Sequence, residues 1–270
     1  MASVSTRKLA VVTGASAGIG LELARECVEN DFDLVICAED HGIHNAAEHL
    51  SKAGAFVLPV QADLSMYEGV KSLYQAIVDT DRHVDALILN AGVGVGGAFL
   101  VNDLEQELKM IRLNVESVVH LAKLVLPMMV NRRQGRVLIT ASAASTSPAP
   151  FLAVYGATKA FDLNFAEALR YELQDTGVTV TALQPGATET EFFDRAGMEH
   201  TKIAQAEKDD PAAVAKKGFE AMMAGKDKVF GAKLKAKMES IIGEVLPEPT
   251  KAKLQGKQAE PHSPRHKHHH

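Results

Sequence analysis

Tyr155 and Lys159 stand four residues apart in the stretch Y-G-A-T-K (155–159). On a helix this spacing puts a phenol and an ammonium on one face, near enough to act on each other. A free phenol ionises only near pH ~10. A neighbouring cation favours the phenolate, and such a pair can take up or release a proton. By itself the pattern equally describes a packed tyrosine beside a solvated lysine, so its meaning depends on its surroundings.

A second chemical signal is T-G-A-S-A-G-I-G, residues 13–20. Gly14, Gly18 and Gly20 permit a tight turn and a close approach of backbone to a diphosphate. A helix starting there adds free N–H groups and the positive end of its dipole. The spacing is G-x-x-x-G-x-G rather than the commoner G-x-G-x-x-G.

Parallel strands and crossing helices are the elements expected to position these groups. The runs 9–13, 33–38, 55–60, 84–90, 136–141 and 178–183 are rich in Val, Ile and Leu without polar alternation, as strands buried on both faces are. Amphipathic stretches lie between them at 19–30, 42–53, 65–79, 103–130 and 155–175. A capped helix is expected from Asp210 and Pro211 onward, then a short strand at 228–231 and a helix near 233–243. The alternation predicts an α/β fold, a three-layer doubly wound parallel sheet of seven strands. Its ligands should sit beyond the carboxyl ends of the strands.

Composition sets the outer bounds. The 270 residues are 46% hydrophobic and 23% charged, enough for a sizeable core. A net charge of −5 argues against a nucleic-acid partner. No apolar run of membrane-spanning length stands out and M-A-S-V-S-T-R-K lacks the apolar core of a signal peptide, so no membrane partner and a cytoplasmic location are expected. Cys27 and Cys37 are too few for a disulfide framework. His41, His44 and His49 read as a solvated helix face, and no metal site is expected. The His-rich end is set aside from the fold.

Further segments follow the strands in order: A-D-L (62–64), N-A-G (90–92), L-N-V (113–115), Ser142 thirteen residues before Tyr155, and P-G-A-T-E-T (185–190). Together with the glycine loop they resemble the short-chain dehydrogenase/reductase family over about residues 7–245. The resemblance implies a Rossmann-like single domain spanning 1–245, with a substrate lid at about 187–210 and a mobile tail at 246–270. It implies an NAD(P)-dependent oxidoreductase interconverting a secondary alcohol and a ketone, or an alcohol and an aldehyde.

By the same resemblance, Tyr155 is the acid/base and Lys159 its cationic partner and a ribose contact. Ser142 donates to the substrate oxygen, with Ser145 as a rival, and Asn114 holds a water linking Lys159 to solvent. The cofactor would be held by Gly14, Ser16, Gly18, Ile19 and Gly20 in the loop, then Asp63 and Leu64 at the adenine. Asn90, Ala91 and Gly92 would border the ribose and nicotinamide, and Pro185, Gly186, Thr188 and Thr190 the carboxamide. Glu39 follows strand two where NADP binders carry a basic residue, which favours NAD over NADP. The acid of the usual NAD pattern would fall at Ala38, leaving Asp40 and His41 as further candidates.

The pocket is expected from 93–99, 145–152 and the lid residues Phe192, Phe193, Met198 and Ile203, a mainly apolar lining for a small-molecule alcohol or carbonyl substrate. A homodimer or homotetramer paired through the helices at 103–130 and 155–175 is expected. An epimerase or dehydratase on the same scaffold, and a dinucleotide-binding regulator without turnover, remain alternatives.

Overall fold

The computed structural model describes residues 7–190, 192, 196–198, 200, 201, 205 and 208–231. Phe193, Ile203, the helix expected near 233–243 and the tail lie outside them. Seven parallel strands form one sheet: β1 (Lys8–Thr13), β2 (Phe32–Ala38), β3 (Val57–Gln61), β4 (Ala86–Leu89), β5 (Gly135–Thr140), β6 (Val178–Gln184) and β7 (Lys228–Phe230). Their order is β3-β2-β1-β4-β5-β6-β7. The winding reverses between β1 and β4, and the crevice there, at the strand carboxyl ends, is where such sheets bind ligands.

Each face of the sheet is covered, which is why the strands carry continuous apolar runs. Residues on β1 alternate between the two faces. Leu9 and Val11 join one core with α3 (Tyr67–Asp79) and α5 (Ser117–Asn131). Ala10 and Val12 join the other, with α1 (Gly18–Glu29) and α2 (Gly42–Ser51). The period of two in the strands thus divides two helix layers. The first layer also takes α6 (Ala153–Glu172), and the second takes α7 (Pro211–Met223). As its sequence predicts, α7 starts with Pro211 behind Asp210, whose side chain accepts from Ala212 N at 3.2 Å.

The helix expected over 103–130 is not uniform. It runs as α4 (Leu104–Ile111), a π-helical turn over Arg112–Glu116, and α5. The Ser117 N–H reaches back to the Arg112 carbonyl, five residues away, in place of the usual four. The L-N-V segment lies inside this turn. The whole helix, Leu104–Asn131, is long and apolar enough to cross a membrane by length and composition, which the sequence reading did not pick out. Its apolar residues have another use here: Leu121, Val125 and Met129 are buried against the sheet.

Candidate active site

The β1–α1 loop is built for close approach. Gly14 has φ 68°, and a Cβ there would meet the Ala91 Cα at 2.9 Å. A Cβ on Gly20 would lie 2.0 Å from the Gly14 carbonyl oxygen, so α1 can pack on the turn only without one. Ala17 caps α1 without a side-chain bond, which leaves the first N–H groups without a capping side chain. Gly18 opens the helix beside Thr190, and Ile19 packs into the core behind it. This short, glycine-rich cradle fits a dinucleotide diphosphate.

Across the switch point, Asn90 ties three strands together. Its Nδ2 donates to the Thr13 carbonyl at 3.1 Å, and its Oδ1 accepts from Thr140 Oγ1 at 3.2 Å. The N–H groups of Asn90 and Ala91 both donate to Thr13 Oγ1, each at 3.0 Å. Gly92 sits where a Cβ would come within 3.2 Å of both Asn114 Oδ1 and Lys159 Nζ.

Beyond the ends of β2 and β3 the carboxylates are already paired. Lys109 on α4 donates to Glu39 at 2.9 Å and lies 3.3 Å from Asp63. Burial raises the Asp63 carboxyl, but its hydrogen bonds from Ser65 and the charge of Lys109 outweigh that and hold it below its ordinary value. Leu64 turns into the core at 5% exposure, leaving its backbone to border the groove. Asp40, one residue beyond Glu39, bonds the glycine loop through Ser16 Oγ at 2.7 Å. Lys109 and Asp40 carry this part of the site; Asp40 was a candidate from the sequence, and Lys109 was not. A signal was present for Asp40 in the acidic pair E-D, but none for Lys109, which is 70 residues from Glu39.

Lys159 is buried on α6 and donates to the Thr140 carbonyl at 2.8 Å and to Asp162 at 3.0 Å. Asn114 is fully buried, and its amide clamps Val93: Oδ1 accepts from Val93 N and Nδ2 donates to Val93 O, both at 2.9 Å. The same Nδ2 donates to Thr158 Oγ1 at 3.0 Å, fastening the π turn to α6. Ser142 caps a 3-10 turn, Ala143–Thr146, its Oγ accepting from Ala144 N at 3.1 Å. Its own O–H is left to donate. Ser145 is buried and accepts from Ser142 N at 3.0 Å, which makes it a brace for Ser142.

Tyr155, 8% exposed, lies in an apolar cluster with Met110, Leu152, Ala196 and Met198. The Phe192 ring packs on it, centroids 5.1 Å apart. Gly94 and Gly96 leave room for the side chains of Phe192 and Met198. Phe151, which packs against this cluster, holds φ 63°, a strained value for a bulky residue. After β6, Thr188 bridges Asp209 as an isolated β pair, and its Oγ1 donates to Gly186 O at 3.1 Å. Pro185 O accepts from Ala143 N at 2.8 Å, joining this segment to the Ser142 turn. Among the described residues no cluster of His, Cys, Asp and Glu could hold a metal.

Fold and cradle define a doubly wound dinucleotide-binding protein. The short chain dehydrogenase family model matches residues 8–200, and the chain belongs to that family of nicotinamide-dependent oxidoreductases. It is 37% identical over 188 residues to a short-chain type dehydrogenase/reductase of Sinorhizobium fredii, covering 69% of this chain and 72% of the relative. A short-chain dehydrogenase from Sphingobium yanoikuyae in complex with NADPH superposes with a TM-score of 0.78 at 26% identity, over 89% of this chain and 96% of that one. A 3-ketoacyl-(acyl-carrier-protein) reductase from Brucella melitensis complexed with NADH gives 0.75 at 25% identity, over 84% and 98%.

Proposed function

We propose that the protein interconverts a secondary alcohol and a ketone, or an alcohol and an aldehyde, on a mainly apolar small molecule, with NAD preferred over NADP. The carrying observation is Tyr155, buried among apolar residues, one helical turn from buried Lys159. The bound nicotinamide would supply the hydride exchange. Tyr155 passes a proton to or from the substrate oxygen, with the Lys159 ammonium one helical turn away as its cationic neighbour. Ser142, its Oγ held by Ala144 N, donates its free O–H to the same oxygen. The Asn114 side chain is taken up by Val93 and Thr158, so a water link to Lys159 would run from its backbone carbonyl.

Gly14, Gly18 and Gly20 would hold the diphosphate, with Ser16 and Ile19 beside it. Asp63 and the backbone of Leu64 would meet the adenine. Asn90, Ala91 and Gly92 would border the ribose, and Pro185, Gly186, Thr188 and Thr190 the carboxamide. The carboxylates of Glu39 and Asp40 after β2 support the NAD preference, Asp40 the more strongly because Glu39 is paired with Lys109. A cytoplasmic homodimer or homotetramer belongs to the same reading; Ile111, Val119 and Tyr171 are exposed on the helices that would pair.

A panel of aliphatic and aryl ketones assayed with NADH, using wild type and Tyr155→Phe, tests the proposal. The variant should lose roughly 10³-fold in kcat while still binding NADH by fluorescence titration. Retained turnover would remove Tyr155 from the proton transfer.

A further inference from the structure

Asp162 lies on α6 beyond Lys159 and is 1% exposed. Its Oδ2 accepts from Lys159 Nζ at 3.0 Å, while its Oδ1 is shut away from solvent with no hydrogen-bond partner among the described residues. A buried carboxylate with an orphaned oxygen is costly unless a charge compensates it. The next α6 residues facing this core, Leu163 and Ala166, are apolar, and an aliphatic side chain would pack at 162 without that cost. Only the ammonium next to it gives the carboxylate a reason to be there.

We propose that Asp162 is a positioning residue for the catalytic lysine: its carboxylate fixes the Lys159 ammonium between α6 and the end of β5 and keeps it charged in a buried site. This deepens the proton-transfer reading of Tyr155 and Lys159 and rests on it. An ammonium has three N–H groups. Asp162 and the Thr140 carbonyl take two, which leaves one for the ribose or a water. Burial alone would strip the proton from Lys159 early. The negative charge of the Asp162 carboxylate, and after it that of a Tyr155 phenolate, outweigh burial and hold the ammonium charged above the ordinary lysine range. These two are the titratable groups acting on it. β5 offers the Thr140 carbonyl, and the π turn offers the neutral amide of Asn114.

The first test is the pH dependence of kcat/KM for Asp162→Asn between about pH 6 and about pH 11. The expected result is an alkaline fall displaced by about one unit or more to lower pH, because burial of Lys159 is no longer opposed by a carboxylate. An unmoved profile, or an even loss at every pH, overturns the proposal. A thermal cycle of Lys159→Met, Asp162→Val and the double variant reads the pair without activity or the Asn variant. Lys159→Met alone strands the carboxylate and should melt lower than the double variant; additive losses overturn the pairing. If the cycle shows coupling but Tyr155→Phe keeps full activity, the proton-transfer reading fails and takes the positioning role with it. If Tyr155→Phe is inactive and the cycle is additive, only the role of Asp162 fails.

Discussion

Ser16 Oγ donates to Asp40 Oδ2 across 2.7 Å, tying the glycine loop to the exit of β2. The other Asp40 oxygen accepts from Gly42 N at 2.9 Å, so the carboxylate is held from both sides. Glu39 instead points across to Lys109, with which it forms an ion pair. Of the two acids, Asp40 is the one fixed against the loop that would carry the diphosphate, and it is the better placed to exclude a 2′-phosphate.

Asp40→Ala should therefore tighten NADPH relative to NADH by roughly tenfold, about 1.4 kcal/mol. Glu39→Ala should move that ratio by less than about threefold, since its charge is spent on Lys109. Paired fluorescence titrations with the two reduced cofactors decide between them. The reverse pattern would make Glu39 the selector.

Ser142 and Ser145 separate by role. Ser142→Ala removes the donor to the substrate oxygen and should lower kcat by roughly 10²-fold to 10³-fold. Ser145→Ala removes only the acceptor for Ser142 N, costing about 1 kcal/mol of stability and less than about tenfold in kcat. Steady-state kinetics on both variants, with thermal melts alongside, tests the assignment; equal kinetic losses would defeat it.

Phe192 covers the Tyr155 ring and fills the space over Gly94. Phe192→Ala should enlarge the pocket, raising KM for small ketones by roughly threefold to tenfold, the ~0.5–1.5 kcal/mol of one aromatic contact. Bulkier ketones should lose less or gain. A graded substrate series measured as kcat/KM shows whether the discrimination runs with size.

The two thiols should be silent in the native protein. Burial pushes Cys37 up to about 12 and raises Cys27 further. A thiol raised on folding adds stability below its ordinary value near ~8.5, and that contribution fades as the pH climbs towards the folded value. Neither cysteine should react with a disulfide thiol reagent at neutral pH until denaturant is added. Melting temperature should decline through the alkaline range, less steeply in Cys37→Val.

Much of the fold was legible because strands buried on both faces have a plain signature, and Asp210 with Pro211 marks a helix start without ambiguity. Edges were less certain: β3 begins at Val57 rather than at 55, where A-F-V-L-P-V offers no polar boundary. The break at Arg112–Glu116 was hidden because R-L-N-V-E contains no Gly or Pro. Lys109 could not be linked to Glu39 and Asp63, since only the fold brings those separate crossovers together. Asp162 was different. Its spacing from Lys159 is visible in the chain, but a lone acid on an amphipathic helix reads as solvent-facing until its burial is known.

The widened turn at Arg112–Glu116 also keeps the long helix in phase. A residue accommodated between α4 and α5 sets the angular offset between the two segments, about 100° per residue in a regular helix. Deleting one residue there would restore an unbroken spiral, yet it would swing Leu121, Val125 and Met129 away from the sheet and pull Asn114 off Val93. Substitutions in this stretch can be judged one side chain at a time. A change in its length would misalign the core and the proton-transfer centre together, so this segment should tolerate replacement far better than insertion or loss.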